Sequence, residues 1–283
     1  MTYQEQLQHL ITQALQEDIG TGDHSTLCCI PPTQQGTAQL KVKQPCTIAG
    51  MQVAQAVFSN LEPGCSFTQV LQDGDVAAYG NIAYSITASV HTILQGERLA
   101  LNCMQRMSGI ATLTQQYATL LAPYPTKILD TRKTTPNFRL LEKEAVRIGG
   151  GYNHRMGLYD MIMLKDNHID YCGGIEKAIE KANTYLTNNN LNLAIEIETR
   201  TLQDVRKVLA VGGVQRIMLD NFAVPQVAEA VQLIQGAYDT EASGGINLST
   251  VVSYAATGVT YVSCGALIHQ AVSMDLSLKA TMV

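Results

Sequence analysis

The sequence lacks the marks of several large classes of protein. No apolar run reaches the roughly 18 residues that a membrane-spanning helix needs, and the N-terminal residues lack the basic-then-apolar layout of a signal peptide. The formal net charge is −5 and the pI is near 5.7, with no stripe of basic and aromatic residues. Nucleic acid is therefore a poor candidate partner, and we expect a soluble cytoplasmic protein.

Cysteine pairs of the C-x-x-C type are also missing. The seven cysteines are scattered and odd in number, which favours reduced thiols in a cytoplasm over a disulfide framework. Cys28 and Cys29 stand beside Asp23 and His24, but adjacent cysteines rarely bind one zinc ion well. Inert thiols are the favoured interpretation there.

The first part of the chain mixes helices with alternating strands. Its 283 residues suffice for one large domain or two ordinary ones. Alternation of apolar and polar residues predicts an antiparallel sheet with one face covered. The elements predicted are a helix from Thr2 to Gly20, a polar loop over 21–35, a strand at 36–43, a helix at 50–61, a hairpin over 67–77 turning at Asp73–Gly74, and a strand at 82–88.

The pattern then changes to a long helical stretch over 91–121, expected to break near Ser108–Gly109, followed by strand–helix alternation. The predicted strands are 127–131, 160–165, 193–198, 216–220, 239–243 and 260–264. The predicted helices between them are 138–148, 175–187, 201–211, 224–235 and 248–256. This region is shorter than the roughly 250 residues of an eight-unit barrel, so we expect an incomplete barrel of six or seven units.

These patterns divide the chain into two predicted domains. The first covers 1–108, and the C-terminal tail 270–283 is expected to return to it as a strand. The second, the barrel, covers 109–269 and is expected to carry the chemistry, because working residues of such barrels sit at the carboxyl ends of the strands.

The predicted strand ends carry three kinds of chemistry. The first two are cationic, the next two are acidic, and the last two are rich in small residues. In chain order they read Asp130-Thr131-Arg132-Lys133, Lys165-Asp166-Asn167-His168, Glu196-Ile197-Glu198, Asp220-Asn221, Ser243-Gly244-Gly245 and Ser263-Cys264-Gly265. The segment 127–168 also holds more Lys and Arg than Asp and Glu, together with a glycine-rich turn at Gly149–Gly151.

Each kind of strand end has a use in binding a phosphorylated substrate and a second anion. The cations suit carboxylates or pyrophosphate, Glu198 and Asp220 suit Mg²⁺, and glycine turns let backbone N–H groups approach a phosphate. Plainer interpretations stay open. The charges can be solvated surface groups, Ser-Gly-Gly can be only a turn, one of the same-facing Glu196 and Glu198 can simply pair with a lysine, and His154 can be a satisfied polar histidine.

Nine motifs together resemble the quinolinate phosphoribosyltransferase family over nearly the whole chain. They are GERLALN at 96–102, TRKTTP at 131–136, FRLLEKEAVRIGGG at 138–151, HR at 154–155, MLKDNH at 163–168, IEIE at 195–198, IMLDNFAV at 217–224, EASGGIN at 241–247 and SCGALIH at 263–269. The resemblance implies an N-terminal α/β open sandwich followed by an incomplete α/β barrel. It also implies the joining of quinolinate to phosphoribosyl pyrophosphate, with release of pyrophosphate and CO₂ to give nicotinate mononucleotide for NAD synthesis.

The resemblance also implies site residues. Lys133, Lys165, Glu198 and Asp220 would be catalytic, and the two acids would also hold Mg²⁺, mainly through substrate and water. Arg98 would reach the site of the partner subunit in a homodimer. The full implied substrate-binding set is Arg98, Thr131, Arg132, Lys133, His154, Arg155, Lys165, Glu198, Asp220, Ser243, Gly244, Gly245, Ser263 and Gly265.

One departure from the family pattern is Asn137, where glycine is expected after TTP; asparagine tolerates a positive φ better than most residues. Three alternatives stay open. They are a related phosphoribosyltransferase acting on another acid, such as the paralogue associated with molybdenum transport, a Schiff-base aldolase using Lys165, and a non-catalytic anion-binding protein.

Overall fold

The computed structural model describes residues 1–281, which divide into two compact units. The first unit comprises Met1–Gln115, Thr134–Gly150 and the chain from Leu267 onward. The second comprises Gln116–Lys133 and Gly151–Ala266. The sequence-based boundary at residue 108 stays a prediction.

Strands and helices cover most of the described chain. The strands are β1 Gln35–Val42, β2 Cys46–Thr47, β3 Ser66–Gln69, β4 Val76–Ala77, β5 Ile82–Ser89, β6 Lys127–Leu129, β7 Ile162–Leu164, β8 Ile195–Thr199, β9 Arg216–Asp220, β10 Asp239–Ser243, β11 Tyr261–Ser263 and β12 Leu276–Thr281. The helices are α1 Tyr3–Ile19, α2 His24–Cys29, α3 Met51–Leu61, α4 Val90–Leu121, α5 Arg139–Ile148, α6 Asp166–Cys172, α7 Ile175–Asn188, α8 Leu202–Val211, α9 Val224–Ile234, α10 Val251–Ala255 and α11 Ala266–His269.

The first unit is built on an antiparallel sheet in the order β12-β1-β5-β3. Ala38, Leu40 and Val42 alternate into its buried face, as the period of two predicts. The tail strand β12 pairs with β1 in the register Leu40 to Leu278. Helix α1 is closed at its start by a capping box of Thr2 and Glu5.

The predicted hairpin over 67–77 is wrong. Strand β3 pairs with β5, and β4 pairs instead with the short β2. Asp73 explains the difference, because its Oδ1 accepts a hydrogen bond at 3.0 Å from the Met51 N–H at the start of α3. Asp73 therefore binds the first backbone N–H of α3, and the strands on either side of it, β3 and β4, belong to different sheets.

The expected helix break near Ser108–Gly109 is also wrong, since α4 runs without interruption. Ser108 is fully buried, and its hydroxyl accepts a 3.0 Å hydrogen bond from the Ala49 N–H. A Cβ added at Gly109 would overlap the backbone carbonyl of Val272. The glycine is present because another part of the chain passes close to the helix, and not because the helix ends there.

The polar segment 21–35 contains one element that sequence analysis did not predict, the short helix α2. Its N-cap is Asp23, whose side chain accepts a hydrogen bond from the Thr26 N–H at 3.1 Å. A helix of six residues is too short for a helical period to be recognised in the sequence.

The second unit contains a sheet of six parallel strands in the order β6-β11-β10-β9-β8-β7. All six strands lie within the predicted ranges or within one residue of them, and helices alternate with them. No strand pairing joins β6 to β7 among the described residues, so the sheet is an incomplete barrel, as predicted. Parallel strands bring their carboxyl ends to one edge of the sheet, and this edge gathers the polar strand ends described above.

Candidate active site

A cavity of about 420 Å³ lies in the second unit at the carboxyl ends of the parallel strands. Ten residues of the predicted set line it: Thr131, Arg132, Lys133, His154, Arg155, Lys165, Glu198, Asp220, Ser243 and Ser263. Met163, Met218 and Glu241 complete the lining. Residues from all six strand ends or the loops that follow them therefore face one space.

Four predicted residues do not line this cavity: Gly244, Gly245, Gly265 and Arg98. Gly244 has φ +100°, and a Cβ on it would overlap the side chain of Asn221, so the glycine allows that close approach. Arg98 is exposed on α4 in the first unit. The roles assigned to these four residues stay predictions.

A larger groove of about 1120 Å³ lies in the first unit, between α1 and residues 135–140. None of the predicted site residues lines it. It has no group of facing cations and carboxylates like that of the smaller cavity, so we place the candidate site in the second unit on chemistry and not on size.

Two guanidinium groups, those of Arg132 and Arg155, bring positive charge to the candidate site. Burial, and then the neighbouring Arg132, lower the pKa of Arg155 below its usual value. The Arg132 Nε atom is buried without a hydrogen-bond partner among the described residues. Two like charges that disfavour each other, one with an unused donor, would both be stabilised by an anion placed between them.

The two predicted acids are each held by a neighbouring element. Glu198 accepts a 2.9 Å hydrogen bond from the Asp166 N–H, and its other oxygen lies 3.9 Å from the Lys165 Nζ. Asp220 accepts a 3.1 Å hydrogen bond from the Ser243 hydroxyl. Both are hard carboxylate ligands that line the cavity, so the donor set fits Mg²⁺ held jointly with substrate oxygens.

The contacts within a buried cluster that includes the lining residues His154 and Glu241 were not predicted. The Nε2 atom of His154 lies 3.0 Å from Glu196 Oε2 and 3.6 Å from Glu241 Oε2, and Arg216 Nη1 lies 2.8 Å from Glu241 Oε2. Glu196 therefore lies beside a histidine and an arginine, and Glu198 is the one of these two acids that lies near a lysine, Lys165. Burial raises the pKa of both Glu196 and Glu241 to about 7.

The donor atoms of His154, Glu196 and Glu241 lie within 4.8 Å of one another, close enough for a metal ion. Arg216 already supplies a positive charge to both carboxylates, which weakens the case for a metal there. The alternation of strand residues was the available signal for this cluster, since it places Glu196 behind Glu198 and Glu241 behind Ser243.

Two further sequence signals have structural explanations. A Cβ on Gly149 would overlap the backbone of Ala111, so the start of the turn Gly149–Gly151 is glycine because the end of α5 approaches α4 closely. Asn137 has φ +62°, so the asparagine takes the left-handed conformation expected of the glycine it replaces. Nearby, the Arg139 Nε donates a 3.0 Å hydrogen bond to the Thr134 hydroxyl.

The fold and the cavity together define a class of protein: an antiparallel α/β unit joined to an incomplete barrel that has a polar, anion-suited cavity at the carboxyl ends of its strands. Among the described residues, no helix has the length and apolar character to cross a membrane. Family models of quinolinate phosphoribosyl transferase match residues 23–108 with the N-terminal domain and residues 110–279 with the C-terminal domain. The chain belongs to this family.

Individual relatives agree over nearly the full length. Quinolinate phosphoribosyltransferase [decarboxylating] 2b, mitochondrial, of Nicotiana tabacum is 43% identical, with coverage of 96% of this chain and 82% of the relative. NadC of Streptococcus pyogenes is 40% identical, with a TM-score of 0.90 and coverage of 96% and 95%. The nicotinate-nucleotide pyrophosphorylase of Francisella tularensis is 34% identical, with a TM-score of 0.91 and coverage of 99% and 98%.

Proposed function

We propose that this protein transfers the phosphoribosyl group of phosphoribosyl pyrophosphate to quinolinate, with decarboxylation, to give nicotinate mononucleotide, pyrophosphate and CO₂. The observation that carries the proposal is that Arg132 and Arg155 line the same cavity as the carboxylates of Glu198 and Asp220. The two arginines suit a substrate with two carboxylates, and the two carboxylates suit an electron-poor sugar carbon. The family membership supports the same reaction.

In this proposal Arg132, Lys133, Arg155 and Lys165 bind the quinolinate carboxylates and neighbouring phosphates. Thr131 and His154 complete the part of the site that binds quinolinate. All six residues contribute by orienting the substrate, because holding two reactants in line removes much of the entropic barrier to their reaction. No covalent intermediate with the protein is needed.

The carboxylates act on the sugar. As the bond from the ribose carbon to pyrophosphate breaks, positive charge develops there, and Glu198 and Asp220 stabilise it. The pyridine nitrogen then bonds to that carbon. The resulting ring cation accepts the electron pair left when the 2-carboxylate departs as CO₂, and the ring carbon takes a proton from water.

Mg²⁺ would be held by Glu198 and Asp220 together with oxygens of phosphoribosyl pyrophosphate, and it would supply countercharge to the departing pyrophosphate. Ser243, Gly244, Gly245, Ser263 and Gly265 would receive the 5′-phosphate. Ser243 and Ser263 line the cavity, which supports this placement.

Two broader features belong to the same proposal. The first is a homodimer in which Arg98 acts across the interface, for which the exposure of Arg98 on α4 leaves room. The second is a cytoplasmic location. All seven cysteines are free, which suits a reducing compartment.

The deciding experiment measures CO₂ release from carboxyl-labelled quinolinate by the purified protein with phosphoribosyl pyrophosphate and Mg²⁺. We expect turnover that stops with excess EDTA and returns with added Mg²⁺. Nicotinate in place of quinolinate should give no CO₂ and little mononucleotide. A folded protein that binds phosphoribosyl pyrophosphate yet releases no CO₂ would support the related transferase acting on another acid, and borohydride trapping of Lys165 would support an aldolase.

A further inference from the structure

A layer of buried charge adjoins the cavity, and one of its members, Glu241, also contributes to the lining. Glu196 precedes Glu198 by two positions on β8, and Glu241 precedes Ser243 by two positions on β10, so each pair points to one face of the sheet. Both glutamates are fully buried. Barrel interiors are usually filled with branched apolar side chains, so these two positions depart from ordinary packing.

Arg216, at the start of β9, enters the same layer. Its Nη1 atom lies 2.8 Å from Glu241 Oε2 and 3.8 Å from Glu196 Oε2. The guanidinium also lies 4.1 Å from the centre of the Tyr261 ring, which fixes its plane. One guanidinium thus faces two carboxyl groups, so the acidic side chains outnumber the arginine.

His154 connects this layer to the cavity that it lines. Its Nδ1 atom accepts a 2.7 Å hydrogen bond from the Arg155 N–H, so in the neutral ring the proton is on Nε2. The Nε2 atom lies 3.0 Å from Glu196 Oε2 and 3.6 Å from Glu241 Oε2. The hydrogen bond at Nδ1 sets the tautomer, and the carboxylates close to Nε2 limit rotation of the imidazole.

The layer has no evident purpose in stability. Burying ions is costly, and replacing a buried ion cluster by apolar residues of similar volume is often neutral or stabilising. A contribution to the site explains its presence better, because the residues it reaches, His154 and Arg155, both line the cavity.

We propose that Glu196, Glu241 and Arg216 are positioning residues that hold the His154 imidazole, and with it the Arg155 backbone, in the orientation that the acid substrate requires. They act through His154 and not on the reacting atoms. The inference rests on the proposed function, which supplies the identity of the acid.

The first test compares Glu196→Leu with Glu196→Gln. Leucine keeps a similar volume but removes the carboxylate that lies 3.0 Å from Nε2, whereas glutamine keeps an oxygen there without the charge. We expect E196L to raise the KM for quinolinate roughly 10-fold or more and E196Q to stay within about 3-fold of wild type. The KM for phosphoribosyl pyrophosphate should change less than about 2-fold in both variants.

A second variant separates positioning from stabilisation. The triple change E196L/E241L/R216L should keep or raise the thermal midpoint, and should raise the quinolinate KM as E196L does. Glu144→Leu is the matched control, because Glu144 is a partly exposed acid on α5 that pairs with Arg147. That variant should leave both KM values unchanged.

The ¹⁵N shifts of the His154 ring give a reading that does not depend on turnover. The Arg155 N–H keeps the Nε2–H tautomer in all three proteins, so we expect the wild-type Nε2 signal in E196Q and a shifted, broadened one in E196L, where the ring loses its neighbouring carboxylate. A wild-type quinolinate KM in E196L together with an unchanged Nε2 signal would overturn the inference, as would a parallel rise of both KM values with loss of stability. If wild-type protein showed the single tautomer but no turnover of quinolinate, the proposed function would fail and the positioning role would stand.

Discussion

The backbone N–H of Asp166 donates a 2.9 Å hydrogen bond to Oε2 of Glu198. This bond joins the first turn of α6, which follows β7, to the side chain at the end of the neighbouring β8. It leaves the other oxygen, Oε1, near Lys165 at 3.9 Å. The carboxylate is therefore fixed in place before any substrate arrives, which is the condition for electrostatic stabilisation of a developing charge.

Glu198→Gln tests that carboxylate. Glutamine keeps the size and an oxygen acceptor for the Asp166 N–H, but it removes the negative charge from the cavity. We expect kcat to fall about 100-fold with less than about 3-fold change in quinolinate affinity. Steady-state CO₂ release and calorimetry measure the two quantities, with the exposed Glu176→Gln as control. A kcat within twofold of wild type would contradict the assigned role.

Arg132→Ala tests the cationic part of the cavity. Removing this guanidinium takes away a donor to the acid and relieves Arg155 of a like charge, so binding should suffer while the fold does not. We expect quinolinate affinity to fall roughly 30-fold with an unchanged thermal midpoint. Arg206→Ala is the control, because Arg206 is exposed and pairs only distantly with Glu229, at 3.8 Å. Equal affinities in the two variants would show that Arg132 does not bind the acid.

The proposed dimer is tested by mixing two inactive chains. If Arg98 acts in the site of its partner, a dimer of one Arg98→Ala chain and one Lys165→Ala chain contains one intact site. Co-refolded mixtures should then regain roughly a quarter of wild-type activity, since about half of the dimers are hybrids and each has one working site of two. Mixtures as inactive as their components would place Arg98 outside the partner's site.

Gly109→Ala tests the close approach of the tail to α4. In an ordinary helix interior this change stabilises by up to about 1 kcal/mol. Here the new Cβ would overlap the Val272 carbonyl, so we expect a loss of about 2 kcal/mol in the free energy of unfolding. Gly236→Ala is a useful control, because it meets open space and carries only the cost of φ +74°. A stabilised Gly109→Ala protein would contradict the observed packing.

Thiol labelling tests burial across the first unit. Burial raises the pKa of Cys46 to about 11 and that of Cys103 to about 12, so at pH 8 both stay protonated and unreactive in the folded protein. Cys28 and Cys29 are exposed. Iodoacetamide at pH 8 should label the exposed Cys28 and spare Cys46 and Cys103 until denaturant is added. Mass spectrometry of the native and unfolded samples reads the difference, and rapid native labelling of Cys103 would be inconsistent with its burial.

Much of the fold and the site could be predicted because the signals are local. Alternation located β1 and β5, and strand–helix repetition located all six parallel strands. The ends of those strands were visible as short runs of charge, so Arg132, Lys165, Glu198 and Asp220 could be proposed together before any contact was known. Parallel strands end at one edge, which made their proximity a consequence of topology.

Other features depended on partners distant in the chain. Apart from the short helices α2, α6 and α11, the sequence determined where the helices and the parallel strands form and which side chains the strand ends carry, because those depend on neighbours within a turn or two. Only the tertiary structure decided that β4 pairs with β2 and not with β3. The same holds for the close packing of the Val272 backbone against Gly109, and for the position of Glu196 beside His154 and Arg216. Each is a contact across tens of residues, and no local period records which distant residue will fill a given space.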